Sequence, residues 1–354
     1  MTKDKSIFIK NIYYMLSYAF QVLKQSTYDE IAAEDFDKAE DLFAAILAKG
    51  IARQLKQGLF RTYVTKNETL SVMRGKLNMP GTIRNQIQRK QKLDCEFDEL
   101  SVNNRYNQIL KTTIHYLLRA DGVDSDRKFA LKKLLVFFDE IDLLDPSLIQ
   151  WGQLLYERNN KNYELLLNIC YFILAGMLQT TEKGEYKMMS FSDDHMARLY
   201  EKFILEFYRE HHTYLSEIKA AQIKWDIIGD ESAPLIRFLP VMQTDIMLRL
   251  NKKILIIDAK YYGKTLQQQY DKYTLHSANV YQILSYVKNQ DSQRTGDVGG
   301  LLLYAKTDEP ITPDGFVNIG GNMIGAKTLD LNVNFKIIAD QLNKIAYSFF
   351  QIEP

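Results

Sequence analysis

The 354-residue chain has only two cysteines, Cys95 and Cys170, far apart and in no CxxC pair. That scarcity excludes a disulfide-built scaffold, argues against a cysteine-held zinc site, and fits a reducing, cytoplasmic setting. Neither sign of charge is in excess. With a net charge of +1 there is no overall basic field, so nucleic acid would need a local patch or a partner's help. No apolar run spans a bilayer comfortably: the longest, Leu165 to Leu178, is interrupted by Asn168 and reads as a buried core helix, so no membrane association is expected. The opening MTKDKSIFIKNIYYML mixes acidic and polar residues among its lysines and lacks a small-residue cleavage site, so no secretory leader is expected. Repeats and low-complexity segments are missing. His195, His211, His212 and His276 show neither HxxxH nor HExxH spacing. A nucleotide loop is missing too: GKT at Gly263 to Thr265 looks like the end of one, but Asp258 stands where its leading glycine belongs. LLVFFDEID (Leu134 to Asp142) reads as an amphipathic helix ending in solvated acids.

What is present is ordinary in bulk, 46% hydrophobic and 25% charged, as in a soluble globular protein. The length suits two or three domains. Helical periodicity marks about Asn11–Leu23, Ala39–Gln57, the segment VNNRYNQILKTTIHYLLRA with Tyr106, Leu110, Ile114 and Leu117 on one face, and about Ser125–Leu144. Short strands around turns are expected between Leu59 and Pro80. A break at DPSLIQWGQ suggests an α+β domain over 1–155, followed by an α/β domain over 156–354. The second part reads as helices near Tyr163–Gln179 and from a Ser192, Asp193 or Asp194 cap through His212. Strands follow at QIKWDII, LIRFLPVMQTDIMLRL and KILIIDAKYY, then a helix at SANVYQILSYVKNQ, a strand at GGLLLYAK and a last helix at about Phe335–Phe350. The strand that returns after a helix implies a mixed sheet flanked by helices.

The chemistry concentrates in MQTDIMLRLNKKILIIDAKYY, Met242 to Tyr262. With Asn251 and Lys252 as a two-residue turn, Leu250 faces Lys253 and Asp245 comes opposite Asp258. Lys260 shares their sheet face, since i and i+2 project together. Two facing carboxylates repel, and more strongly in apolar surroundings. A hard divalent cation such as Mg²⁺ would neutralise them; a structural ion pair between Lys260 and one aspartate is the other reading. Elsewhere a basic cluster, Arg74, Lys76, Arg84, Arg89, Lys90 and Lys92, is either a solvated face or a contact for a partner or DNA.

Asp245 followed by Asp258-Ala259-Lys260 resembles the D…(D/E)xK signature of the restriction-endonuclease-like, PD-(D/E)XK, nuclease fold, and the element order agrees. Gln282 and Tyr286 in NVYQILSYV look like the QxxxY helix of the RecB-related subset; Glu201 in LYEKFILEFY sits where a further acidic metal ligand often lies, with Glu206 a weaker choice. IKNIYYMLSYAF, RGKL, CEFDELSVNNRYNQILKTTI and the nuclease motifs, taken in order, resemble the McrC family, the nuclease subunits of McrBC modification-dependent (type IV) restriction systems of phage defence. That resemblance implies a Mg²⁺-dependent DNA endonuclease in which Asp245 and Asp258 bind metal, with Glu201 assisting, and Lys260 and Gln282 act beside it. It also implies a partner, a McrB-like AAA+ GTPase hexamer that binds the GTP, contacted through the N-terminal half, and a substrate of double-stranded DNA carrying modified cytosine, such as 5-methylcytosine. A stand-alone repair nuclease of the RecB-related type and a chain that mainly activates the ring GTPase are the alternatives.

Overall fold

The structure, a computed structural model, describes residues 9–24, 28–34, 36–156, 161–178, 193–229, 233–261, 266–269, 272–306 and 312–353. The chain folds as two compact units, one of Met1–Phe36 with Ser190–Pro354, the other of Asp37–Met189. The chain therefore enters the first unit, leaves it for the second, and returns.

Entry into the first unit is through α1 (Ile9–Ala19), followed by the short α2 (Asp29–Ala33). Helix α1 buries Ile12, Tyr13, Met15 and Leu16. Its Asn11 Nδ2 donates to the carbonyls of Leu331 and Val333, both at 2.8 Å, and Tyr14 stacks on Phe335 at 4.5 Å between ring centroids.

In the second unit the elements are α3 (Ala39–Gln57), β1 (Thr62–Leu70), β2 (Lys76–Leu77), α4 (Met79–Ile87), β3 (Leu93–Ser101), α5 (Arg105–Arg119), α6 (Ser125–Leu135) and α7 (Lys161–Leu178). Helices α3, α5 and α7 pack together around Phe43, Ile46, Leu110, Ile114, Leu166 and Ile169, all buried. The start of α5 is fixed by Asn104, whose side chain accepts from the Asn107 amide, as an N-cap should. Tyr163 of α7 donates to Asn107 Oδ1 at 2.5 Å and accepts from the Phe60 amide at 2.9 Å. The strands form a small antiparallel sheet ordered β1-β3-β2. It leaves Tyr63 exposed, and α4 leaves Ile83 and Ile87 exposed.

Back in the first unit, α8 (Asp193–His211) leads to β4 (Glu217–Lys219), β5 (Gln222–Ile223), β6 (Met242–Gln243), β7 (Ile246–Leu250) and β8 (Lys253–Lys260). Then come β9 (Leu266–Gln269), β10 (Lys272–Leu275), α9 (Ser277–Gln290), β11 (Val298–Ala305), β12 (Gly315–Ile319), β13 (Asn322–Leu329) and α10 (Phe335–Phe350). Among the described residues the main sheet runs β12-β13-β11-β8-β7-β4. Strand β11 is parallel to both β8 and β13, whereas β7 and β8 form an antiparallel hairpin, so the sheet is mixed, as expected. Helix α9 is the crossover from β8 to β11. Its close approach requires Gly300, where a Cβ would meet Ile283 Cγ1 at 2.6 Å; on the other face a Cβ at Gly299 would meet the Phe349 ring of α10 at 2.4 Å.

Several expectations are corrected. The compact units do not divide at 155/156: α7 packs on α3 and α5 in the second unit, and α1 packs on α8 in the first. The helix expected to reach Leu144 ends at Leu135 and continues only as a 3-10 turn, Val136–Phe138. QIKWDII is paired only at Gln222–Ile223. Strands β3, β4, β9, β10, β12 and β13 were not foreseen: β4 has three residues, β12 is exposed almost throughout and β13 lacks clean alternation, whereas β3 does alternate from Cys95 onward and was overlooked.

Candidate active site

The site forms where β8 ends. The hairpin register follows the sequence expectation: Leu250 pairs with Lys253 and Ile246 with Ile257, through a turn whose Asn251 adopts a left-handed φ of 53°. Asp245, one residue before β7, therefore comes level with Asp258 at the ladder's end. Asp258 is 1% exposed, and on its other side it pairs with Leu302 of β11. Residues 254, 256, 258 and 260 of β8 face α9, whose Ile283 and Val287 share one apolar cluster with Ile254, Ile256 and Leu302.

Asp245 Oδ2 accepts from the Ala259 amide at 2.8 Å, which locks its carboxylate against β8. The Lys260 ammonium lies 2.8 Å from Asp258 Oδ2 and donates to Gln282 Oε1 at 3.2 Å. Gln282 Nε2 donates to the Tyr286 hydroxyl at 2.8 Å, and that hydroxyl donates to the Gln243 carbonyl at 3.0 Å. Asp258, Lys260, Gln282, Tyr286 and the strand before Asp245 are thus joined in one polar line. Lys260 forms the ion pair with Asp258 that one of the two readings called for, while two carboxylates stand near this one ammonium.

The electrostatics follow from that imbalance. Burial, and then the charges of Asp258 and Glu201, push Asp245 well above the usual carboxylate range. Asp258 is also raised by burial, opposed by Lys260. Glu201, on α8, is raised by burial and by the charge of Asp258, with Lys260 opposing. Glu201 is therefore close enough to be felt by both aspartates. Among the described residues, however, no three acidic, histidine or cysteine side chains converge as a ready ligand cluster. Glu206 is committed to Arg209 at 2.5 Å.

A divalent cation fits this donor set. Asp258 Oδ2 is buried with the Lys260 ammonium at 2.8 Å, and a second carboxylate, Asp245, stands level with it. Hard oxygen donors of this kind suit Mg²⁺, which takes one or two carboxylates and retains waters.

Other residues singled out in the sequence take quieter places. His276 occupies the N-cap position of α9, its Nδ1 2.8 Å from Gln267 Nε2. Tyr261 packs near Tyr200, ring centroids 6.1 Å apart. Ser192, Tyr262 and the GKT segment lie outside the described residues. Of the basic cluster, Arg74 sits over the Phe97 ring at 3.9 Å with Glu99 at 3.4 Å, Lys76 is in β2, Arg84 is on α4, and Arg89 takes a left-handed φ of 56° just after it. All four are exposed and belong to one β2–α4 segment of the second unit.

Residues 3–305 match the family described as McrBC 5-methylcytosine restriction system component. The chain belongs to this family. A relative from Escherichia coli K12, the type IV methyl-directed restriction enzyme EcoKMcrBC, is 28% identical over 338 residues, 94% of this chain and 95% of that protein. Two solved structures are also similar. One is a half-complex from a tetradecameric assembly of Thermococcus gammatolerans McrB AAA+ hexamers with bound McrC, at TM-score 0.44 and 17% identity, covering 93% of this chain and 75% of that one. The other is the McrBC complex of the same organism, at TM-score 0.40 and 19% identity, covering 57% and 59%. The McrBC-family match includes every site residue from Glu201 to Tyr286.

Two further polar residues escaped the sequence reading. Asn279, buried on α9, donates from Nδ2 to the Tyr304 hydroxyl of β11 at 3.1 Å, and Tyr304 is fully buried. The available signal was spacing: Asn279, Gln282 and Tyr286 fall on one helical stripe.

Proposed function

We propose that this chain is a Mg²⁺-dependent DNA endonuclease subunit of a type IV restriction complex, with a restriction-endonuclease-like (PD-(D/E)XK) fold in its first unit. It acts with a McrB-like AAA+ GTPase hexamer on DNA carrying modified cytosine. The observation that carries the reading is the level pair of aspartates, Asp258 buried and Asp245 half-buried, beside a single lysine, in a chain of the McrBC component family. The E. coli relative's description as a methyl-directed restriction enzyme supports the substrate class. The incomplete phosphate-binding motif supports placing GTP on the partner.

Asp245 and Asp258 would hold the cation, with Glu201 adding negative charge at its edge. A Mg²⁺ held there would supply Lewis acidity to the scissile phosphodiester and to the attacking water. Lys260, fixed between Asp258 and Gln282, orients the attacking water and stabilises charge developing on phosphorus. Gln282 and Tyr286 act through Lys260 and the Gln243 main chain, so they position rather than react. Burial beneath α9 strengthens each of these interactions by excluding water.

The second unit has no comparable constellation among its described residues. Its exposed Tyr63, Val72, Met73, Met79, Ile83 and Ile87, with Arg74, Lys76, Arg84 and Arg89 on the same segment, support partner contact and GTPase stimulation there. The test is to incubate the purified chain, with and without a McrB-like GTPase partner, with modified and unmodified DNA, Mg²⁺ and GTP. Asp258→Ala should abolish cleavage, by about 10³-fold or more given what loss of such a charge costs a reacting site, and leave GTP hydrolysis stimulated. An Asp258→Ala protein that still cuts modified DNA would overturn the assignment.

A further inference from the structure

Lys260 is held at its tip by Asp258 and Gln282, but a tip is only as well placed as the stem beneath it. In the parallel ladder Lys260 pairs with Tyr304 of β11. Paired residues on neighbouring parallel strands lie about 4.8 Å apart and project to the same face. Both side chains reach toward α9, where Lys260 meets Gln282 and Tyr304 meets Asn279. Tyr304 and Lys260 are therefore ladder neighbours on the face that α9 covers. Asn279 and Gln282 are one turn apart on α9, so a single helix face grips both members of the ladder pair.

Burying Asn279 and Tyr304 together has a cost that two apolar side chains would avoid, since neither polar group can be left unmatched at full burial. Packing alone does not call for that choice: the surrounding cluster is mainly apolar and includes Ile254, Ile256, Ile283, Val287 and Leu302. The polar residues on α9 instead follow the site. Tyr286 ties the Gln243 main chain just ahead of Asp245, Gln282 ties Lys260, and Asn279 ties the strand on the far side of Lys260.

We propose that Asn279 is a positioning residue which, by holding the Tyr304 hydroxyl, fixes the wall against which Lys260 is aimed at the candidate metal site. The proposal rests on the nuclease reading above. Asn279 and Tyr304 touch no substrate; they set where the Lys260 ammonium stands.

The test uses the full chain with its GTPase and compares Tyr304→Phe, Asn279→Leu, and the two combined. Each single change breaks the hydrogen bond between these two buried groups, so each should lower both the unfolding temperature and the cleavage rate. The double change removes both polar groups, and such matched replacements are close to neutral for stability. The double variant should therefore regain most of the unfolding temperature. Its single-turnover cleavage at saturating DNA should stay roughly tenfold or more below the parent, in line with loss of a positioning contact. Metal-free DNA affinity, read by fluorescence anisotropy, should change less than about twofold, and stimulated GTP hydrolysis should be unaltered, because neither contact reaches those functions. Recovery of cleavage together with stability in the double variant would overturn the proposal, leaving the pair as packing. Loss of GTPase stimulation alongside cleavage would overturn it too, since the effect would then be general. Lys260→Ala is run in parallel: if it cuts like the parent, the nuclease reading itself fails, an outcome distinct from failure of the Asn279 role.

Discussion

At the scale of single residues, the site is defined by a charge imbalance. The Asp245 and Asp258 carboxyls are both raised above the usual carboxylate range in the folded chain, chiefly through burial. A carboxyl whose folded value is raised contributes stability below its unfolded value and loses it as pH rises through the folded one. The metal-free chain should therefore become less stable as pH climbs from the ordinary carboxylate range toward neutrality. Mg²⁺, which requires the ionised forms, should bind with release of protons. The rise in unfolding temperature on adding Mg²⁺ should be larger at about pH 8 than at about pH 5.5, by calorimetry, and the binding heat should vary with buffer ionisation enthalpy. Asp245→Asn keeps the shape and an acceptor for the Ala259 amide while removing one of the two repelling charges. It should leave the metal-free unfolding temperature unchanged or higher and abolish the Mg²⁺ response. An unfolding temperature lowered by several degrees would mean that the aspartate is structural. These residues were legible in the sequence because a two-residue turn fixes strand register, and register alone places Asp245 against Asp258. Asn279 and Tyr304 were not, because nothing in the local pattern says which strand α9 will cover.

At the scale of elements, α9 decides whether the charged residues become a site. It lies on β11 at a glycine and delivers Gln282 and Tyr286 to the end of β8. Adjacent glycines make a controlled comparison possible, since Gly300 faces α9 and Gly299 faces α10. Overfilling a packed contact typically costs about 1–3 kcal/mol, which in a unit of this size is roughly 2–4 °C per kcal/mol. Gly300→Ala should lower both the unfolding temperature and cleavage, because the new methyl group pushes against Ile283 and Val287 and shifts the helix that holds Lys260. Gly299→Ala should lower the unfolding temperature by a similar amount with little loss of cleavage per folded molecule. Equal loss of cleavage in the two variants would show that α9 placement is not what matters. The helices with clean 3.6 periodicity, α3 and α5, were legible from sequence, as was the hairpin. The β12–β13 hairpin was not: β12 is exposed almost throughout, so it lacks the alternation that marks a half-buried strand.

At the scale of the whole molecule, the chain's two units are not consecutive segments. A break in periodicity near DPSLIQWGQ suggested a boundary at 155/156, but periodicity reports local structure and not which elements pack together. Helix α1 is part of the first unit, the one that holds the candidate site. Tyr18 meets Phe203, Phe207 and Phe335 with ring centroids 5.6, 5.7 and 5.6 Å away, and Lys24 pairs with Glu210. Ile12, Met15 and Leu16 are buried beside them. At about 1.5–3 kcal/mol for each fully buried large apolar side chain, these few residues rival the whole stability of a typical domain, about 5–15 kcal/mol. A fragment of residues 156–354 would keep α7 without its packing partners and lose α1. It should aggregate or bind apolar dyes, with no sharp thermal transition. Residues 1–36 joined to 190–354 through a flexible glycine-serine linker should instead unfold cooperatively and show the Mg²⁺-dependent stabilisation, yet fail to stimulate GTP hydrolysis by the partner. If the joined chain stimulated hydrolysis as the full chain does, the contact with the GTPase would lie in the first unit, and the exposed β2–α4 segment of the second unit would need another explanation.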